Sequence, residues 1–240
     1  MRYKLQIQYD GTPFCGWQIQ PNRKSVQGEI TAAAKSLTGE DINLVGCGRT
    51  DTGVHALNQA AHFDLTKPFE LKKLAAGLNF YLPPAIRIVK AEAAEDNFNA
   101  RFDAKRKTYT YLMYEAEADN PLLQNRALRI NGLDIKAMRA AAGEFVGIHD
   151  FLPFMSSGSD VKTTVREIFS CRFFKKWEFY TLEITANGFL YNMVRKIVGF
   201  LIAIGQGKRN KEEILQILGG SGFVKEIAPP YGLYLKDVQY

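Results

Sequence analysis

Cysteine is scarce in this chain of 240 residues: Cys15, Cys47 and Cys171 stand far apart and form no CxxC pair. Three such thiols cannot all pair with one another, which argues against a disulfide framework and a thiolate zinc site and for a reducing, cytoplasmic setting. Histidine is as rare, and His55, His62 and His149 are too scattered to suggest a metal centre. Long apolar runs are missing too. The longest, IVGFLIAIG after Lys196, is about half of the roughly 20 residues a membrane helix needs. The opening MRYKLQIQYD alternates apolar with polar residues where a signal peptide would run continuously apolar. A soluble protein without membrane association is therefore expected. The phosphate-loop pattern GxxxxGK[ST] is also absent, because Gly53 is followed by Val54 and His55.

Acid is the minority charge. There are 25 Asp and Glu against 31 Lys and Arg, a net charge of +6, and such an excess suits a polyanionic partner whose phosphates attract clustered cations. With 46% hydrophobic residues the chain can bury a real core, and its length allows one large domain or two small ones.

Periodicity orders the first half as strand, helix, strand, strand, helix, strand. KLQIQYD alternates as a strand with one wet side, and SVQGEITAAAKSLTG reads as a helix from an N-cap at Ser25 to a stop at Gly39. INLVGC and NQAAHFDL are short strands, ELKKLAAGLNFYL is a helix closed by Pro83 and Pro84, and IRIVKAEAA is a strand. The second half runs a similar course. KTYTYLMYEA is a strand, DIKAMRAAAGEFVG a helix, and TTVREIFSCRFF with EFYTLEITA a hairpin across KKW. FLYNMVRKIVGFLIAIG follows as a helix and GLYLKDVQY as a closing strand. The pattern predicts an α+β protein of two ferredoxin-like (split βαβ) halves, residues 1–100 and 101–240, with a mixed, largely antiparallel sheet. An open antiparallel sheet of this kind is a platform on which RNA modules stack bases.

Between the second and third strands lies GRTDTGVHA, with one carboxylate, Asp51, two residues after Arg49. An aspartic protease needs two DTG aspartates sharing a proton, and the chain holds one DTG, beside an arginine that favours the ionised acid. Two readings stay open on the residues alone: a site for a lone ionised carboxylate, and a turn in which Asp51 bonds neighbouring amides. Tyr109 and Tyr111 share one face of an alternating strand and read as core. Arg195 falls with Asn192, Lys196 and Gly199 on the polar side of a helix, which reads as a solvated face. His62 alternates within a strand, His149 in GIHDF suits a turn, and His55 is placed to brace the loop before it.

GRTDTGVHA resembles the catalytic signature of the TruA-type tRNA pseudouridine synthase family, and the likeness extends along the chain. YDGTPFCGWQIQ, SVQGEI, GLNFYLPPAI, FNARFDAKRKTYTY, GIHDF, NGFLYNMVRKIVG and APPYGLYLKDVQY read like that family's blocks, in its order. The resemblance implies isomerisation of uridine to pseudouridine at positions 38, 39 and 40 of the tRNA anticodon stem-loop, by a homodimer that needs no small-molecule cofactor and no metal. It makes Asp51 the catalytic carboxylate and sets Tyr109 against the target base. It has Arg195 face Asp51 across a central cleft between the halves, and puts Arg49 in the space the extruded base vacates. Lys105, Arg106, Lys107, Lys162, Arg166, Arg172, Lys175 and Lys176 are candidate phosphate contacts, and FMSSGSDVKTT is a candidate loop to move on RNA binding. The competing expectation is a non-catalytic RNA-binding protein or RNA chaperone on the same scaffold, marked by loss of Asp51 or Tyr109; both are present.

Overall fold

A computed structural model describes residues 1–158 and 161–240. Ser159 and Asp160, in the middle of FMSSGSDVKTT, lie outside the described residues, and the expected movement of that stretch lies outside them as well. The chain divides into two compact units, Met1–Lys105 with Tyr234–Tyr240, and Arg106–Leu233.

In the first unit, β1 (Arg2–Tyr9) buries Tyr3, Leu5, Ile7 and Tyr9 on alternate positions, the period that puts every second side chain on one face. Helix α1 (Val26–Thr38) starts where the Ser25 hydroxyl accepts the Gly28 N–H at 3.2 Å and stops at Gly39, whose φ of 75° ends the helix in the left-handed region. β2 (Val45–Gly46) and β3 (His55–Asp64) follow, then α2 (Leu71–Tyr81) and β4 (Ile86–Ala94). β1 lies between β4 and β3, and β2 pairs with β3, every pairing antiparallel. That order, β4-β1-β3-β2, is the split βαβ arrangement read from the sequence.

The second unit opens with β5 (Arg106–Glu115) and β6 (Leu128–Ile130), which pair in parallel. Helix α3 (Ile135–Ala142) is shorter than its sequence pattern, because the chain tightens into a 3-10 turn over Gly143–Phe145. β7 (Gly147–Asp150), β8 (Val165–Lys176) and β9 (Phe179–Ala186) are antiparallel neighbours in turn, and β9 also pairs antiparallel with β5. GIHDF, expected as a turn around His149, is therefore largely strand. The hairpin turn falls on Trp177 and Glu178 and not on KKW, since Lys176 still pairs with Phe179. α4 (Met193–Gly205) begins four residues later than its apolar run, because Asn192 adopts a left-handed φ of 61°; α5 (Glu212–Leu218) follows. Among the described residues no helix is long and apolar enough to cross a membrane.

The last strand, β10 (Leu233–Gln239), pairs in parallel with β3 at His55 and Ala56. β2 holds the other end of the same edge, at Ala61 and His62. Sharing that edge explains why β2 keeps two residues where the sequence suggests a longer strand.

Arg2 and Asp64 face each other across β1 and β3 and form a two-pronged pair, with Nε to Oδ1 at 2.9 Å and Nη2 to Oδ2 at 2.8 Å. These hydrogen bonds hold the Asp64 carboxyl below its usual range. A depressed carboxylate adds stability above its unfolded pKa and loses it as pH falls through the folded value. Asp64→Asn is therefore expected to lower the thermal midpoint at pH 7, with the gap from wild type closing below about pH 4. A gap that persists in acid, measured by circular-dichroism melts, contradicts this account.

Candidate active site

The backbone around Asp51 is laced to two other segments of its unit. Gln59, fully buried on β3, donates from Nε2 to the Gly48 carbonyl at 3.0 Å and accepts the Cys47 thiol at Oε1. The Trp17 N–H donates to the Thr50 carbonyl at 3.0 Å, and the Tyr9 and Thr50 hydroxyls are 2.8 Å apart. Burial raises the Tyr9 phenol well above its ordinary pKa, so the group stays neutral at physiological pH and leaves no buried charge beside the loop. The Val54 N–H closes the turn on the Asp51 carbonyl at 3.1 Å.

Residues 9–17 approach so closely that two positions admit only glycine: a Cβ on Gly11 would stand 2.0 Å from the Val54 carbonyl oxygen. Gly16 has a φ of +100°, and a Cβ there would stand 2.6 Å from the Thr50 carbonyl oxygen and 3.2 Å from the Asp51 carbonyl carbon. Below the loop, buried His55 accepts the Gly11 N–H at Nδ1 (3.0 Å), with Asp10 Oδ1 3.1 Å from the same nitrogen. Its ring stacks on Tyr234 of β10, with centres 4.6 Å apart. His55 thus braces the loop from beneath. Asp51 itself is half-buried and Arg49 exposed, on a main chain that these bonds hold in place. Fixing the group before any substrate arrives removes part of the ordering cost from the chemical step.

In the second unit Tyr109 and Tyr111 lie on β5 opposite Ile184 and Leu182 of β9. Residues 108–111 are all buried, so this strand has no wet face here. Tyr111 is sealed and donates its hydroxyl to the Pro229 carbonyl at 2.9 Å. Tyr109 keeps 8% exposure and meets Phe189 edge-on, with centres 5.1 Å apart and planes at 86°.

Arg195 stands in the first turn of α4, and the solvated helix face expected around it is covered. Residues 224–228 run over that side as a strap. Arg195 Nε donates to the Ala228 carbonyl at 2.9 Å and Nη1 to Asn192 Oδ1 at 2.8 Å, while the Ala228 N–H returns to the Arg195 carbonyl. Lys196 donates to the carbonyls of Met155 and Val224, each at 2.9 Å, and burial lowers its pKa. Gly199 completes the seam: a Cβ there would lie 2.8 Å from the backbone of Glu226 and Ile227. The guanidinium is held in one orientation by acceptors on two segments.

The structure thus places Asp51 and Arg49 on one loop of the first unit, and Tyr109 and Arg195 on β5 and α4 of the second. Sequence reasoning missed Gln59, Trp17, Gly16 and the strap; YDGTPFCGWQIQ and APPYGLYLKDVQY hold several of these residues, but no pattern in them marks a hydrogen bond to a distant carbonyl. Among the described residues no group of three or more His, Cys, Asp or Glu is placed to hold a metal ion.

A half-buried carboxylate on a braced turn, on an α+β scaffold, has the chemistry that an acid-base or nucleophilic enzyme centre uses. Comparison with known proteins gives the particular family. Residues 6–103 and 141–240 match the family described as tRNA pseudouridine synthase, and the chain belongs to it. It is 44% identical over 239 residues to tRNA pseudouridine synthase A of Caldicellulosiruptor bescii, covering 98% of both chains. It is 43% identical over 239 residues to the protein of that name from Thermoanaerobacter sp., again 98% of each. With that of Ruminiclostridium cellulolyticum the identity is 42% over 243 residues, 100% of this chain and 99% of the other.

The close approach at Gly16 yields a test. Gly16→Ala pushes Thr50 and Asp51 out of place without touching either side chain, and a shift of that size is expected to lower pseudouridine formation by about 100-fold. The variant's circular dichroism should remain native. Turnover within about twofold of wild type would show that the loop's position is not set at this contact.

Proposed function

We propose that the protein isomerises uridine to pseudouridine at positions 38, 39 and 40 of the tRNA anticodon stem-loop, with Asp51 as the catalytic carboxylate. The observation that carries this reading is full-length identity of 42–44% to proteins named tRNA pseudouridine synthase A, combined with a half-buried carboxylate on a loop fixed by its neighbours.

The reaction breaks the bond from ribose to a ring nitrogen of uracil and makes one from ribose to a ring carbon; the proton on that carbon leaves and the nitrogen gains one. Atoms and electrons balance within the nucleotide and a proton exchange, so a single carboxylate with no redox partner meets the demand. The target atoms are hidden in a stacked stem, so the nucleotide must be extruded, which costs a few kcal/mol. A face-on aromatic offsets roughly 1 to 3 kcal/mol of this, and Tyr109 is the residue assigned to it. The family resemblance gives Arg195, oriented by Ala228 and Asn192, the part of keeping the acid charged. Arg49, exposed on the Asp51 loop, fills the space the base leaves. The family resemblance extends the proposal to a homodimer working in the cytoplasm without a small-molecule cofactor.

The test is incubation of purified protein with an unmodified tRNA transcript and mapping of pseudouridine along the anticodon arm. Asp51→Ala is expected to abolish product while tRNA is still bound, and undiminished turnover refutes the assignment. Tyr109→Phe should retain most activity if stacking is the role, whereas Tyr109→Leu should lose it; equal losses would point to the hydroxyl.

A further inference from the structure

The turn between β8 and β9 carries an aromatic side chain that the fold does not use. Trp177 and Glu178 are its two central residues, and Trp177 sits at a φ of +55°. Two-residue hairpins favour Gly, Asn or Asp at such positions, because a Cβ is strained in the left-handed region. Burial does not compensate, since the indole is 79% exposed.

The surroundings are cationic and aromatic. Lys176 Nζ lies 5.1 Å from the Trp177 ring centre and Lys175 Nζ 5.0 Å from that of Tyr180. Tyr180 in turn stacks on Phe173, with planes 16° apart. Successive strand residues point to opposite faces, so the two ammonium groups flank the tip on both sides. Glu178 is the acid in the turn. Below it Arg172 is tied to Glu183 at 2.9 Å, and Tyr180 donates its hydroxyl to Glu115 at 3.2 Å.

An exposed indole offers a π-face to any base, and ammonium groups beside it accept phosphates; together they form the platform used for unpaired nucleic acid. We propose that Lys175, Lys176 and Trp177 form an RNA contact at which an unpaired base of the tRNA stacks on Trp177 while neighbouring phosphates are held by the two lysines. The inference rests on the functional reading above and adds a second aromatic contact to it. Stacking reads the face of a base and not its edge, so the contact tolerates any of the four bases.

Tryptophan fluorescence makes this measurable, because the chain has two tryptophans and Trp17 is 3% exposed. Emission at the red edge therefore reports Trp177. Titration with an unmodified tRNA transcript is expected to quench that emission in wild type and not in Trp177→Gly, whose tRNA Kd should be about tenfold weaker. The thermal midpoint of Trp177→Gly should be no lower than that of wild type, since glycine suits the left-handed φ. The double variant K175A/K176A should flatten the dependence of log Kd on log salt by about 1 to 2. An unchanged Kd in Trp177→Gly, with wild type making pseudouridine, overturns the inference and leaves the functional reading intact. Emission that follows protein concentration instead of RNA overturns it as well, by assigning the tip to a second copy of the chain. If wild type neither binds nor modifies tRNA, the inference falls together with that reading, and the wild-type control identifies this case.

Discussion

The hydrogen bonds that reach the carbonyls of residues 48–51 are the constraint on which the position of Asp51 depends. Gln59 and the Trp17 amide each take one carbonyl, and the Tyr9 hydroxyl takes the Thr50 side chain. These partners come from β1, the segment after it and β3, so the loop is fixed only once the sheet has formed. A flexible loop would leave its side chains to be ordered by whatever they meet, and the lacing removes that entropy beforehand. The same contacts explain residue choices that look arbitrary in isolation. Gly16 keeps a left-handed φ against the Asp51 backbone, and Tyr9 remains a neutral phenol in the core.

The second unit uses a different device for a similar end. An arginine at a helix start ordinarily samples many rotamers, but Arg195 is met by the Ala228 carbonyl and by Asn192. Lys196 fastens the strap on which that carbonyl rides, and the absence of a side chain at Gly199 lets the strap lie directly on the helix. Polar residues at the start of α4 thus satisfy backbone groups that burial would otherwise leave costly.

Much of this was legible in the sequence, and the exceptions have physical causes. The ends of α1 were readable because Ser25 and Gly39 act on the backbone beside them. Asp51 stood out through its motif. The start of α4 was misread because Phe189, Leu190 and Tyr191 continue an apolar run, and only the left-handed Asn192 interrupts it. Its polar side looked solvated because what covers it lies about thirty residues further along the chain, as the Arg195 to Ala228 bond shows. Gln59 could not be singled out, since a glutamine bonded to a main-chain carbonyl leaves no pattern of residue types. The strand β7 was missed because four residues are too few for alternation to declare itself.

The place of β10 bears on how the protein is made. The ring of Tyr234 stacks on His55, and Tyr234 and Leu235 pair with His55 and Ala56, just after the Asp51 turn. On the ribosome, residues 1–105 emerge long before that strand, at roughly 5 to 20 residues per second. The nascent first unit must therefore wait several seconds with the His55–Ala56 end of that β3 edge unpaired, and translation of the intervening second unit sets the moment at which the loop gains its last support.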